Sequence, residues 1–244
     1  MLRSGRRKGT ITIPSPNIWH WPEIYEIENL AQDHAGAIPA ELQRHARWSG
    51  ARIVDIGCGT GFHLPLFALQ AQAVTGIEPH PPLVAAARER IAGFGNVTVL
   101  HGRADAIPLP ASSVDIVHAR TAYFFGPGCE PGIREALRVL VPGGWLLIVD
   151  LDVTAGLYGE WMRADLPRYD PAAVESFFER QGFGLARVDT RWTFRTRADL
   201  EAVLAIEFSP RVASRARQQV VGTCLPVRYR IHSLRKPTFE GSRA

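Results

Sequence analysis

Cysteine is scarce in this chain. Cys58, Cys129 and Cys224 show neither the pairing pattern of a disulfide frame nor the spacing of a metal site. All three read as reduced thiols, none as a nucleophile, and no metal is expected. Long apolar runs are missing too: none approaches the ~20 residues that cross a bilayer. The opening stretch, Met1 to Thr10, is basic but lacks the apolar segment of a secretion signal, so a cytoplasmic setting with no membrane partner is expected. There is no internal repeat, low-complexity tract or linker. Charge is nearly balanced, with a net +4 over 244 residues. The arginines are scattered apart from Arg6-Arg7-Lys8 and a looser set from Arg211 to Arg217, which reads as a solvated surface and not as a nucleic-acid track. An apolar content of 46% with 21% charged residues suits one soluble domain that buries a sizeable core.

Against that ordinary background one segment stands out: Val54-Asp55-Ile56-Gly57-Cys58-Gly59-Thr60-Gly61-Phe62. An apolar run ends at an acid and gives way to three glycines at alternate positions. It reads as a strand breaking into a tight loop that opens a helix, with Cβ atoms removed where a ligand must come close. A dinucleotide loop needs G-x-G-x-x-G. Counting six residues from Gly57 reaches Phe62 and from Gly59 reaches Leu64, so neither register fits. An acid beside the loop repels a pyrophosphate but tolerates a sulfonium and an amino-acid end, which favours S-adenosylmethionine.

Further strands follow in order. Ala73 to Glu78 ends in an acid 23 positions after Asp55, close to the ~20-residue offset at which a strand-end carboxylate meets a ribose diol. Val97 to His101 is a third strand, with Arg103-Ala104-Asp105-Ala106 behind it; Asp105 reads either as an acceptor for an adenine amino group or as a helix or turn cap. Val114 to His118 is a fourth, and Pro142-Gly143-Gly144 turns into a fifth, Trp145 to Asp150. Alternating strands and helices of this kind build a parallel sheet with ligands at the carboxyl ends of its strands.

Taken together, VDIGCGTGF, GIEPH, RADAIPLPASSVDIVHAR and REALRVLVPGGWLLIVD resemble the successive motifs of the class I S-adenosylmethionine-dependent methyltransferases, of the type 11 kind, over about residues 52 to 150. The resemblance implies an α/β, Rossmann-like, doubly wound seven-stranded sheet of order 3-2-1-4-5-7-6 with only strand 7 antiparallel. It implies a loop of Gly57, Cys58, Gly59 and Gly61 beside the methionine portion. Glu78, with Pro79, would bind the ribose, and Ala104 and Asp105 the adenine. Asp55 would order the loop or reach the amino group through water, and the backbone around Ala119 would contact the amino-acid end. Family members that methylate planar amide or adenine nitrogens carry an Asn-Pro-Pro-Tyr type segment after strand 4, whereas this chain reads His118-Ala119-Arg120-Thr121-Ala122-Tyr123.

The expected organisation is an N-terminal arm and lid helix over residues 1–48 and a methyltransferase domain over 49–244, with a cofactor half (52–150) and a C-terminal half (151–244). Pro22 suits the first turn of the lid helix, which puts Tyr25 and Asn29 on one face and Tyr25 toward the site. Trp19, Trp21 and Ile24 either share that lid role or pack on the sheet. After strand 4, Gly126-Pro127 and Pro131-Gly132 frame a stiff segment, and at least one ring of Tyr123-Phe124-Phe125 should face the cleft. Tyr25, Arg120, Tyr123 and Phe124 are therefore the candidate acceptor contacts. Arg120 reads either as an anion-binding residue or as the partner of Glu130. His118 is the candidate general base, with a structural role as the alternative.

Beyond the core, Pro171 to Gly182 reads as a helix, Leu185 to Phe194 as a strand, Arg197 to about Phe208 as a helix capped by Thr196, and Leu225 to Leu234 as the last strand. Ser209 to Thr223, polar and Arg-rich, is left between a mobile segment and part of the acceptor pocket. The function these readings converge on is methyl transfer from S-adenosylmethionine, with S-adenosylhomocysteine as product, to an O, N or C atom of a small, partly aromatic or apolar acceptor. RNA or protein methylation, and a non-catalytic cofactor-binding regulator, are the alternatives.

Overall fold

A computed structural model of the chain describes residues 15–123 and 126–238. Its sheet has seven strands: β1 (Arg52–Ile56), β2 (Ala73–Glu78), β3 (Val97–His101), β4 (Val114–Arg120), β5 (Leu140–Leu151), β6 (Gly184–Thr193) and β7 (Cys224–Arg235). Their order is β3-β2-β1-β4-β5-β7-β6, and only β7 runs antiparallel to its neighbours. This is the order and polarity that the motifs imply. β4 runs two residues beyond its expected end at His118, and β5 begins five residues before Trp145, because Leu140 pairs with Val114 across a register shift ahead of Trp145.

Period-two alternation divides the strands' side chains between two faces. Ile53 of β1, Ile116 of β4 and Tyr229 of β7 join one core cluster, under helices α3 (Ala37–His45), α4 (Leu64–Ala68), α5 (Pro81–Arg90), α7 (Gly156–Asp165), α9 (Arg197–Glu207) and α10 (Pro210–Gln219). Val54, Val117 and Ile148 join the other, under α6 (Glu130–Val139) and α8 (Pro171–Arg180). Neither α3 nor α7 was expected from sequence.

Local signals set the helix starts. Proline occupies the first turn of α5, α8 and α10, where no intrahelical donor is lost. Asp170 caps α8 by accepting from Ala172 N and Ala173 N, and Thr196 forms a reciprocal box with Asp199 at α9. The Arg-rich segment after α9 corrects its reading. It folds as α10, with Val212, Ala213 and Ala216 buried along one stripe and the arginines outward, so it is an amphipathic helix on the core and no part of the cavity wall.

The described part of the N-terminal arm forms three helices, α1 (Pro16–His20), α2 (Pro22–Ala31) and α3, where one was expected. Ile24 packs on the core, Trp21 is exposed, and Trp19 stacks on His80 with ring centroids 4.4 Å apart. Among the described residues no helix is long and apolar enough to cross a membrane.

Candidate functional site

The carboxyl ends of β1, β2, β4 and β5 meet the arm around a cavity of about 610 Å³. That size is typical of a small-molecule site. One end is the glycine loop after β1. Gly57, Gly59 and Gly61 have φ of +70°, +56° and +76°, the left-handed region that glycine enters without a Cβ penalty. Gly57 N and Cys58 N both donate to Ile77 O (2.8 and 3.2 Å), which ties the loop to the end of β2. A Cβ on Gly59 would lie 2.6 Å from Ile18 Cδ1, so the arm rests directly on the loop. Gly61 is turned the other way, with α5 beside it: a Cβ there would meet Ala87 Cβ at 3.1 Å. It shapes the loop without lining the cavity.

Glu78, 4% exposed, closes this end. Its Oε2 accepts from Gly59 N at 3.0 Å and its Oε1 from His80 N at 2.9 Å, leaving one lone pair on each oxygen for a ligand. Burial raises its pKa, and the two backbone donors act against that. Pro79, Ala104 and Asp105 line the adjoining wall. Asp105 is held in a bidentate pair by Arg103 Nε and Nη2 (2.9 and 2.8 Å), a role that neither sequence reading gave it. Cys58 lines the cavity with its thiol pushed up by burial, as suits an inert cysteine.

His118 is placed differently from the expected base. Parallel register sets it opposite Asp55, and alternation turns both to the α3–α5 face of the sheet. His118 Nδ1 lies 2.7 Å from Asp55 Oδ1, both side chains are buried, and the ring packs edge-on against Phe67. The imidazole lines no part of the cavity, so its geometry is that of a residue positioning Asp55, which does line it. Ala119 likewise is fully buried among the α6 and α8 side chains, away from the cavity.

The other end of the cavity draws on elements far apart in the chain. Tyr25, Glu28, Asn29 and Gln32 come from one face of α2 and its C-cap, Arg120 and Thr121 from the end of β4, Tyr158 from α7, Glu207 from α9 and Tyr229 from β7. Arg120 donates to Gln32 Oε1, and its guanidinium lies over the Tyr229 ring at 4.9 Å. It does not pair with Glu130, whose Oε2 accepts from Gly128 N. Tyr123 lines the cavity, 5% exposed, against Gly132. Phe124 and its neighbour Phe125 lie outside the described residues.

Sequence reasoning missed Glu28, Gln32, His63, Tyr158, Glu207 and Tyr229 in this wall. Glu207 accepts from Tyr158 OH at 2.7 Å and from Asn17 Nδ2, which fastens the arm to α9. Glu28 Oε1 accepts from Gln32 Nε2 at 2.9 Å. The Glu28 and Glu207 carboxyls meet, and Glu28 is held well above the ordinary carboxylate range, first by burial and then by Glu207. Burial holds the His63 imidazole well below its usual value, so it stands neutral in the wall.

An open α/β sheet of this order, with a glycine loop and a strand-end acid at its carboxyl edge, is the class I methyltransferase fold. Residues 54–148 match the family model described as "Methyltransferase domain", so that part of the chain is similar to the methyltransferase family. It is 28% identical over 183 residues to 2-methyl-6-phytyl-1,4-hydroquinone methyltransferase 1, chloroplastic, of Oryza sativa subsp. japonica, covering 72% of this chain and 52% of that one. It is 31% identical over 141 residues to demethylmenaquinone methyltransferase of Tropheryma whipplei (strain Twist), covering 54% and 59%. The chain thus spans a little over half the length of these curated relatives. Among solved structures, the YcgJ protein from Bacillus subtilis superposes with a TM-score of 0.61 at 16% identity, covering 84% of this chain and 99% of that one.

Proposed function

We propose that this protein transfers the methyl group of S-adenosylmethionine to an O, N or C atom of a small, partly aromatic or apolar molecule. The observation that carries the proposal is that one cavity joins a glycine cradle and a buried strand-end carboxylate to a wall rich in tyrosines. The residues fit the cofactor. The free lone pairs of Glu78 suit the two ribose hydroxyls, and Asp105 with Ala104 suits the adenine. The glycine loop and Asp55 suit the amino-acid end, and Trp19, stacked on His80, lies in the arm side of the same wall. An acidic pair of this kind, Asp55 and Glu78, argues against a pyrophosphate ligand. When bound, S-adenosylmethionine supplies a sulfonium-activated methyl.

The chain's own residues then have two tasks, to hold an acceptor in line and to exclude water. Positioning of this kind lowers a barrier by ~7 to 11 kcal/mol. Ile18, lying against Gly59, and Asn17, anchored on Glu207, let the arm cover the cavity; residues 1–48 act as arm and lid and 49–244 as the transfer domain in this reading. The three free thiols agree with a reducing, cytoplasmic setting.

Because the two curated relatives are named for hydroquinone and menaquinone chemistry, hydroxylated aromatic acceptors belong in the first screen beside amines and thiols. The test is the release of S-adenosylhomocysteine from S-adenosylmethionine, followed by mass spectrometry across that panel. Turnover with a small aromatic acceptor supports the proposal. Binding of the cofactor with no turnover on any acceptor would favour a regulatory protein.

A further inference from the structure

The tyrosine-lined end of the cavity holds two acids where methyl transfer alone requires none. Glu28 is 3% exposed, and its Oε2 is buried with no donor from the described residues other than the facing Glu207 carboxyl. Glu207 stands against it, its oxygens already taken by Asn17 and Tyr158. Among the described residues the one cation facing the pair is Arg120. The remaining titratable groups around them are the phenols of Tyr25 (α2), Tyr158 (α7) and Tyr229 (β7), all raised by burial and neutral near pH 7. Asp165, also on the cavity wall, is occupied by the Ser209 amide and hydroxyl. With both glutamates ionised the cluster therefore carries one negative charge in excess. An uncompensated buried charge is costly. Burial first, and the facing Glu207 next, hold the Glu28 carboxyl well above the ordinary carboxylate range, so a proton can fill that place in the free protein.

Resting on the methyl-transfer reading of this cavity, we infer that the acceptor is a small aromatic molecule bearing a protonated amine, whose ammonium docks on the Glu28–Glu207 pair beside Tyr25 and Tyr158. An ammonium supplies the one positive charge that the cluster lacks, and it brings several donors for Glu28 Oε2 and for the spare lone pairs of Glu207. The faces of the tyrosine rings attract the same cation. A neutral hydroxyl offers one donor and no charge, and it leaves the pair still holding its proton. Amine binding must therefore displace a proton, and it strengthens as pH rises through the pair's titration.

The test is calorimetry on the full chain, with and without saturating S-adenosylhomocysteine, comparing 2-phenylethylamine with 2-phenylethanol. Both are titrated near pH 7 in two buffers of different ionisation heat. The amine is expected to bind about tenfold or more tighter than the alcohol, with release of about one proton. Glu28→Gln should abolish both the preference and the release. Equal or tighter binding of the alcohol, or amine binding with no proton released, overturns the inference, and so does a preference that survives Glu28→Gln. The wild-type comparison stands even if that variant is unstable. Binding of S-adenosylhomocysteine without an amine preference sinks the inference and leaves the methyl-transfer reading intact. An amine preference without S-adenosylhomocysteine binding does the reverse.

Discussion

Removing the Glu78 carboxylate should damage the cofactor end of the cavity in two separable ways. In the folded chain Glu78 satisfies Gly59 N and His80 N and keeps a spare lone pair on each oxygen. Two ribose hydroxyls bound there are charge-assisted, worth ~1.5 to 3 kcal/mol each. Part of that is already offset, because burial disfavours the carboxylate. A net loss of ~2 to 4 kcal/mol follows for Glu78→Ala, or about 30- to 700-fold in affinity for S-adenosylhomocysteine. The same substitution orphans two backbone donors, at ~1 to 3 kcal/mol for each that water cannot reach, so the melting temperature should fall as well. Glu78→Gln keeps one acceptor oxygen but turns an amide NH2 toward the other backbone donor, and it should fall between wild type and alanine in both readings. Calorimetry and a thermal melt on the three proteins decide the matter. An affinity within threefold of wild type, with an unchanged melt, would refute the assignment of Glu78 to the ribose.

Three further outcomes are expected. His118→Asn should lower stability by ~3 to 5 kcal/mol by leaving Asp55 buried and unpaired, with cofactor affinity falling alongside; a selective loss of turnover with intact affinity and melt would instead return His118 to the role of base. Asp150 faces Arg230 across β5 and β7, and burial lifts its carboxyl from 3.8 to about 6 while Arg230 pulls the other way. The native state therefore holds a proton there that the unfolded chain has given up, and this stability is full below about pH 4 and lost as pH rises through about 6. Asp150→Asn should thus gain up to ~3 kcal/mol near neutral pH and nothing near pH 4 in denaturant melts; an equal effect at both pH values would contradict the burial argument. Asp170→Ala should cost ~1 kcal/mol by uncapping α8, seen as a drop of about 2 to 4 °C in melting temperature, with cofactor affinity unchanged.

The cofactor end of the cavity was legible in the sequence because its signals are local. Left-handed glycines, a strand-end acid and period-two apolar runs each act over a few residues, and Glu78 and the glycine loop are joined by a single strand-to-strand register. His118 shows where that kind of reading stops. Its position at the end of β4 follows from the pattern, but its partner depends on the β1–β4 register, which places Asp55 beside it and turns the ring beneath the loop. The acceptor end was scarcely legible. Glu28 and Glu207 lie 179 positions apart in a chain of 244 and meet only because α2 and α9 lie against each other on one side of the sheet. Tyr158 belongs to α7, a helix with no strong local start signal, whose N-cap Ala155 makes no side-chain hydrogen bond. In the Arg-rich α10 the small residues Ala213 and Ala216 form most of the buried stripe, a weak apolar signal among three uncharged polar and two basic neighbours from Ser214 to Gln219.

The central claim is that the cavity at the ends of β1 and β2 is built for S-adenosylmethionine. The measurement that tests it most directly is calorimetric titration of the purified chain with S-adenosylmethionine, with S-adenosylhomocysteine and with NAD as control. Micromolar affinity for both sulfur ligands and none for NAD is the predicted result. Failure to bind either sulfur ligand, or preference for NAD, would contradict the account.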